Sequence, residues 1–299
     1  MQAAQFSDYG PSDVMEIAEA PEPHPGPGQV RIVVHASSIN PMDWKIRNGY
    51  ARDDIPLDLP AILGNDAAGV VDEIGEGVEG FWLGEAVFGL GSSTNAEFAL
   101  LNAFTAKPKS LSFPEAAALG VAGETSVRAL DLLGVGAGIT LRVAGAAGGV
   151  GSVATQLAGS RRATVIGSAS ERNHDFLSQL GAKPVLYGDG LADRVRAAAP
   201  DGIDAVLDVV GASPIEVLTS LVAEPAQVVT IANFAPGDSG ARLTTGGEGD
   251  PFAALAEVAE LATSGKLRIH VREFPLADVG EAQDLSQAGH VRGKLVLVI

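Results

Sequence analysis

The stretch Ile139–Ser170 reads ITLRVAGAAGGVGSVATQLAGSRRATVIGSAS, and the rest of the chain is arranged around it. Ile139–Ala144 is a short run rich in apolar and β-branched residues, the composition of a buried strand. Gly145, Ala146, Ala147, Gly148, Gly149, Val150 and Gly151 follow as a turn. Val150, Val153, Ala154, Leu157 and Ala158 then recur at the spacing of one helical face. A second β-rich run, Ala163–Ile166, closes the unit. Strand, glycine turn, helix and strand in this order form a mononucleotide-binding βαβ unit. Glycine permits the sharp turn and lets the backbone approach a pyrophosphate without a Cβ in the way. The N–H groups at the helix start, with the positive end of its dipole, then face the anion. The spacing is Ala146-x-Gly148-x-x-Gly151, with Ala where the fingerprint usually has its first Gly. Ala146, Gly148, Gly149, Val150 and Gly151 are therefore candidate cofactor-binding residues. The alternative is a Gly/Ala-rich turn that serves helix packing alone, and the flanking strands weigh against it.

Strand–helix alternation continues beyond this unit. Arg172–Leu180, Leu191–Ala199 and Pro214–Val222 read as helices. Pro184–Tyr187, Ala205–Val210 and Gln227–Ala232 read as strands. Near-continuous apolar strands alternating with helices predict a doubly wound parallel sheet of the Rossmann type. Pro114–Leu133 precedes it as a helix with Ser112 as N-cap and Pro114 in the first turn. Pro236–Pro251 reads as a long loop, and Phe252–Ser264 as a helix.

The first 110 or so residues look different. Gln29–Ser37 alternates Val30, Ile32 and Val34 against Arg31, Val33 and His35. Further short strands at Met1–Phe6, Asp13–Ala18, Asp66–Gly75, Gly84–Gly89 and Ala96–Leu101 are separated by Gly/Pro turns. This pattern predicts a β-barrel-like module. Arg268–Phe274, a helix at Asp278–Ala288 and Lys294–Ile299 return to that module.

Composition narrows the function. The 299 residues suffice for two domains, and 46% of them are apolar, as in folded proteins. Twenty basic against 37 acidic residues give a net charge of −17, which argues against nucleic acid or an anionic membrane as partner. It also requires an anionic cofactor to be held by local positive groups against the protein's own field. No run approaches the roughly 20 apolar residues of a membrane span. Met1–Gly10 lacks a basic segment and an apolar core, so no secretory signal and a cytoplasmic location are expected. The chain has no cysteine, which excludes disulfides, a thiol nucleophile and cysteine-ligated zinc.

Several ordered segments carry a family resemblance. These are Asn40-Pro41-Met42-Asp43 with Arg47 and Gly49, Leu63–Val71 (LGNDAAGVV), Ala122-Gly123-Glu124-Thr125, Gly145–Gly151 with Gln156-Leu157-Ala158, Asp208-Val209-Val210-Gly211, and Gly289–Lys294 (GHVRGK). Across its whole length the chain resembles zinc-independent medium-chain dehydrogenase/reductases of the NADPH:quinone oxidoreductase, zeta-crystallin-like type. The resemblance implies a GroES-like substrate domain built from both chain ends, residues 1–110 and 250–299, around a Rossmann domain of residues 111–249. It also implies reduction of a quinone or activated alkene with NAD(P)H, by a dimer or tetramer, and a homodimer is expected here.

The zinc-using branch of that superfamily places Cys at Asn40 and His-Glu at Asn65-Asp66. The five histidines show no paired ligand spacing, and Phe88–Ala96 leaves no room for a structural-zinc lobe, so no metal is expected. The acceptor must then be electrophilic already, as a quinone or an enone is.

An NAD-specific site places a carboxylate at the end of the second strand, on the ribose 2′-OH. Here that position reads Gly167-Ser168-Ala169-Ser170-Glu171-Arg172. Two hydroxyls and a guanidinium suit a 2′-phosphate, so Ser168, Ser170 and Arg172 point to NADPH. Glu171 turned inward would favour NAD; it is expected instead to face solvent in the first turn of the next helix. By resemblance, Tyr187 joins the same phosphate site, and Thr125, Val209, Val210, Ile231 and Asn233 lie along the cofactor; the valines and Ile231 can equally be sheet core. Glu124 would bring a charge near Thr125.

Hydride transfer to a quinone or enone builds charge on oxygen, which needs hydrogen-bond donors and then a proton. Asn40 as a polar wall, Lys45 as a proton donor and Tyr50 at the pocket mouth are the candidate catalytic residues. Lys45 and Tyr50 as solvated loop residues are the alternative. Asp43 and Arg47 are expected to form a structural ion pair, and Asp66 an anchor beneath the site. An enoyl or 2-alkenal double-bond reductase, and a non-catalytic NADPH-binding regulatory protein, are the competing functions.

Overall fold

The computed structural model describes residues 1–299. In chain order the strands and helices begin with β1 (Gln2–Phe6), β2 (Met15–Glu19), β3 (Val30–Ile39), α1 (Pro41–Arg47), β4 (Ala61–Ile62), β5 (Asp66–Ile74), β6 (Ala86–Ser92) and β7 (Phe98–Ala106). Next come α2 (Phe113–Ala117), α3 (Gly120–Leu132), β8 (Thr140–Ala144), α4 (Gly149–Ser160), β9 (Thr164–Ala169), α5 (His174–Gln179), β10 (Lys183–Leu186) and α6 (Leu191–Ala198). The last are β11 (Ala205–Asp208), α7 (Ile215–Thr219), β12 (Val228–Thr230), β13 (Arg242–Leu243), α8 (Pro251–Thr263), β14 (Val271–Pro275), α9 (Val279–Ala288) and β15 (Lys294–Val298).

Two compact units result. One comprises Met1–Val121, Pro251–Gly265 and Ile269–Ile299; the other comprises Ala122–Asp250 and Lys266–Arg268. The second unit holds a parallel six-stranded sheet in the order β10-β9-β8-β11-β12-β13. This is the doubly wound Rossmann sheet. The chain leaves β8 for β9 and β10 on one side, then returns to β11 on the other. The winding therefore reverses at the β8–β11 pair, the place where open parallel sheets bind ligands at their carboxyl ends. Leu141, Val143, Val153, Ala154 and Leu157 are fully buried. On the other side, Ile166, Val206 and Val228 form one core cluster with Leu191 and Val195 of α6 and Leu218 of α7.

The first unit is the GroES-like module. Its six-stranded sheet runs β14-β15-β3-β5-β6-β7, and an added β3–β7 pairing closes β3, β5, β6 and β7 into a small barrel. A separate sheet runs β2-β1-β4. The C-terminal strand β15 pairs antiparallel with β3 and parallel with β14, so both chain ends share one sheet. The barrel interior is filled by Val30, Ile32, Val34, Ala67, Val71, Val87, Leu101 and Phe104.

Four local features differ from the sequence expectation. The predicted single helix at Pro114–Leu133 is two, α2 and α3. Ser112 caps α2 as expected: its Oγ accepts from Glu115 N–H at 3.3 Å, and Glu115 accepts from Ser112 N–H at 2.8 Å. The break falls before Gly120, where an added Cβ would lie 2.5 Å from Asp66 Cβ. That close approach delivers the Val121 N–H to Asp66 Oδ2 at 2.8 Å. It also leaves α2 on the barrel side of the unit boundary, rather than with the Rossmann sheet. Second, Pro236–Pro251 is not all loop, because Arg242–Leu243 pairs with β12 as the sheet edge. A two-residue strand is too short to show periodicity. The Arg242 guanidinium secures it by donating to the carbonyls of Ala226 and Leu132, at 2.9 and 2.5 Å. Third, the expected helix at Arg172–Leu180 opens with a tight turn at Glu171–Asn173 before α5 begins at His174. Fourth, Asp43 and Arg47 do not pair. Arg47 is fully buried and donates to Gly10 O at 3.1 Å and Gln283 Oε1 at 2.7 Å, tying α1 to α9. No helix is long and apolar enough to cross a membrane.

Candidate functional site

The glycine turn between β8 and α4 divides its labour. Gly145 has φ +68°, and a Cβ there would lie 2.2 Å from Val210 Cγ2. A Cβ on Gly151 would lie 2.2 Å from the Gly145 carbonyl oxygen. Gly151 lets the helix press backbone to backbone on the turn, and Gly145 leaves room for the Val210 side chain. Gly148 is different: an added Cβ would meet nothing nearer than the Gly145 oxygen at 3.5 Å. It opens α4 with no side-chain cap, so the first-turn N–H groups are left for an external acceptor. Ala146 is fully buried, with its methyl against Gly167 of β9, so it packs the turn onto the sheet and is not open to a ligand. The turn fits a pyrophosphate.

The other strand ends are shaped by two buried side chains. Asp208 Oδ1 accepts from the Val210 and Gly211 N–H groups at 3.2 and 3.0 Å. Asp208 Oδ2 accepts from Thr230 Oγ1 at 3.0 Å. Thr230 Oγ1 in turn accepts from the N–H groups of Ala232 and Asn233, at 3.2 and 3.0 Å. This Asp208–Thr230 staple fixes the turns that carry Val209, Val210, Ile231 and Asn233. Val210 is half exposed at the turn, whereas Val209, Ile231 and Asn233 are partly buried.

At the end of β9 the expected residues part company. Ser170 is partly exposed, and Glu171 and Arg172 are exposed. Ser168 is 2% exposed, and its hydroxyl is drawn inward to accept from Arg142 Nη2 at 3.3 Å. Arg142, in β8, is 1% exposed, and its Nε and Nη1 have no hydrogen-bond partner. Burial pushes its guanidinium down to about 10, with Asp208 opposing. Tyr187 is half exposed just past β10, and Arg194 braces its loop by donating to the carbonyls of Leu186, Tyr187 and Gly188. Thr125 is buried and donates to Glu124 Oε2 at 3.2 Å. Glu124 is itself paired with Arg128 at 2.7 Å, so its charge is neutralised within α3.

In the barrel unit, Asn40 precedes α1 and is 7% exposed. Its amide is spent inside the protein: Nδ2 donates to Asp66 Oδ1 at 2.8 Å, and Oδ1 accepts from Lys294 Nζ at 2.6 Å. Ser38 Oγ also donates to Asp66 Oδ1, at 2.6 Å, and Lys294 Nζ donates to Ile39 O at 3.1 Å. Asp43 lies at the same helix start, with Oδ2 accepting from the Asn40 N–H at 2.7 Å and Oδ1 unpartnered. Burial pushes the Asp43 carboxyl up to about 7 and holds Lys294 below the ordinary lysine value. Lys45 and Tyr50 lie further along. The Lys45 ammonium is 5.7 Å from the Trp44 ring centre, and Tyr50 meets the same ring edge-on at 6.1 Å. Tyr50 is 71% exposed; burial lowers the Lys45 ammonium below its ordinary value.

Two family models match the chain, "Alcohol dehydrogenase GroES-like domain" over residues 26–128 and "Zinc-binding dehydrogenase" over residues 180–297. The chain is 32% identical to a chloroplast envelope quinone oxidoreductase homolog of Arabidopsis thaliana, over 99% of this chain and 98% of that protein. The chain belongs to the quinone oxidoreductase family of the medium-chain dehydrogenase/reductases. It is an oxidoreductase. An NADPH-dependent alkenal/one oxidoreductase of the same plant is 31% identical over 99% of this chain and 79% of its own length. The structure of the quinone oxidoreductase from Coxiella burnetii superposes with a TM-score of 0.88 at 32% identity, covering 100% of this chain and 99% of that one.

One matching model carries zinc in its description, and the donors here do not fit that metal. Asn40 and Lys294 occupy each other, both Asp66 oxygens accept N–H or O–H donors, and no thiolate exists. Nowhere do three or more His, Asp or Glu side chains cluster as metal ligands would. His24 meets Glu73, and His35 stacks on Phe113.

Sequence reasoning missed Arg142, Thr230 and the charge state of Asp43. Only Arg142 gave a signal, as the one charge in an otherwise uncharged strand run.

Gly151→Ala should cost about 1–3 kcal/mol in denaturant unfolding, because backbone must yield to the new methyl. Gly148→Ala should stay within about 0.5 kcal/mol and instead weaken cofactor binding. Asp43 has a raised pKa in the folded state. Its protonated form is therefore favoured by folding, and stability falls as pH rises from the unfolded carboxylate value of about 4 towards 7. Asp43→Asn should remove that loss, gaining on the wild type by on the order of 4 kcal/mol between pH 4 and pH 8.

Proposed function

We propose that the protein is a zinc-independent, NADPH-dependent reductase of a quinone or an α,β-unsaturated carbonyl compound. The single observation that carries this is the open Gly148 between two crowded glycines at the uncapped start of α4. When bound, the cofactor supplies a hydride to an electrophilic carbon of the acceptor.

The protein's residues do the rest. Gly148, Gly149, Val150 and Gly151 hold the pyrophosphate on backbone N–H groups. Ser170, Arg172 and Tyr187 receive the adenosine 2′-phosphate, with Ser168 beneath them. Thr125, Val209, Val210, Ile231 and Asn233 line the path of the nicotinamide half. In the barrel unit, Lys45 and Tyr50 donate hydrogen bonds to the oxygen on which charge develops. Asn40 serves as a fixed polar wall, because Asp66 and Lys294 consume its amide. With no fitting metal donors, nothing polarises an unactivated carbonyl, which restricts the acceptor to compounds already electrophilic. The relative named as an alkenal/one oxidoreductase supports enones alongside quinones. A homodimer in the cytoplasm completes the proposal, and size-exclusion chromatography with light scattering tests the dimer.

Loss of nicotinamide absorbance with phenanthrenequinone and with an α,β-unsaturated ketone tests the function. Turnover of either acceptor, unchanged after chelation, is expected. Tight NADPH binding without turnover of any quinone or enone would establish the regulatory alternative instead. Arg172→Ala should weaken NADPH binding about tenfold and leave NADH binding nearly unchanged; equal losses would remove Arg172 from the phosphate site.

A further inference from the structure

Arg142 is a cation that the fold itself does not account for. It lies in β8, the strand where the winding of the parallel sheet reverses. Its side chain is 1% exposed, yet Nε and Nη1 have no partner, and Nη2 alone donates, to Ser168 Oγ at 3.3 Å. Unpaired buried charge is costly, and an apolar residue in the same strand would avoid the cost. Asp208 lies on the neighbouring strand, level with Ala144. Its two oxygens already accept three hydrogen bonds from Val210, Gly211 and Thr230, and it does not chelate the guanidinium. The Asp208 carboxylate opposes the charge without bonding to it, and two guanidinium nitrogens stay unpartnered beneath the carboxyl edge of the sheet. With a pKa of about 10, the guanidinium stays protonated at neutral pH.

Ser168, itself 2% exposed, is the group that links this cation to the end of β9. It is also level with Ala144, two residues before Ser170 and four before Arg172. Its oxygen accepts from Arg142, which strengthens the hydroxyl as a donor. Its only acceptor in the structure is the Val143 carbonyl at 3.5 Å, a contact weak enough to exchange for a better one. A phosphate dianion above the end of β9 offers that acceptor. It would also meet a buried positive charge in a protein whose net charge is −17. A ribose hydroxyl, being neutral, gains little from the same field.

We propose, on the NADPH assignment made above, that Arg142 is a positioning residue for the adenosine 2′-phosphate, acting through Ser168 to favour NADPH over NADH. It makes no direct contact with the ligand. The field of one buried charge thus supplements Arg172, which is exposed and screened.

The test is the ratio of dissociation constants for NADH and NADPH, measured by fluorescence titration without any acceptor. Arg142→Met keeps the bulk and removes the charge. It should lower that ratio about tenfold by weakening NADPH alone, and Arg142→Lys should restore most of it. Adenosine 2′-monophosphate binding should fall in parallel, while adenosine 5′-monophosphate binding holds. Equal weakening of both dinucleotides, or an unchanged ratio, overturns the proposal. If Arg142→Met does not fold, Ser168→Ala must show the same loss of discrimination, and an unchanged ratio there is equally fatal. A wild-type protein that binds NADH as tightly as NADPH overturns the NADPH assignment itself, and this proposal with it.

Discussion

The backbone of Gly151 pressing on the carbonyl of Gly145 is the contact on which the nucleotide-binding unit depends. No side chain fits between them, since even a methyl on Gly151 would stand 2.2 Å from that oxygen. The close approach sets the angle at which α4 leaves the sheet, and so where its uncapped N-terminus points. With it go an open Gly148 and a buried Ala146 that locks the turn to β9, at the end of β8, where the winding of the sheet reverses. The Asp208–Thr230 staple performs the same task for the next two strand ends, using side chains to hold turns that glycine alone would leave loose.

The barrel unit solves a different problem. Its buried centre brings together Lys294, Asn40, Asp66, Asp43 and Ser38, drawn from the C-terminal strand, the entrance to α1, β5 and the end of β3. One buried ammonium and two buried carboxyls would be costly if unpaired. Lys294 and Asp66 hold the Asn40 amide in one orientation between them, and burial pushes the second carboxyl, Asp43, towards its neutral form. The cluster is thereby closed on itself. It leaves no donor set for a metal, and Lys45 and Tyr50 lie outside it, beside the Trp44 ring.

Local order was legible in the sequence. The β8-turn-α4-β9 unit, the Ser112 cap and the alternation of β3 follow from short-range spacing, and the structure reproduces each. The family resemblance extended this to the barrel, whose strands are held by distant pairings. What the sequence hid depends on which way a side chain turns, or on partners far along the chain. Arg47 reaches Gln283 rather than Asp43, a partner 236 residues away. Lys294 meets Asn40 across 254 residues. Ser168, expected from its place near the end of β9 to meet the cofactor, is 2% exposed and turns inward to Arg142 in the neighbouring strand. Spacing along one strand cannot reveal an attraction across two.

On the proposed function, a dinucleotide whose pyrophosphate rests at this glycine turn delivers hydride directly from its nicotinamide to an electrophilic carbon. Reduction of an α,β-unsaturated ketone with NADPH deuterated at nicotinamide C4 tests it most directly. Deuterium from one face of C4 is expected at the β-carbon of the saturated ketone, with the second hydrogen taken from solvent. Saturated product carrying no deuterium from either C4-labelled form would contradict it.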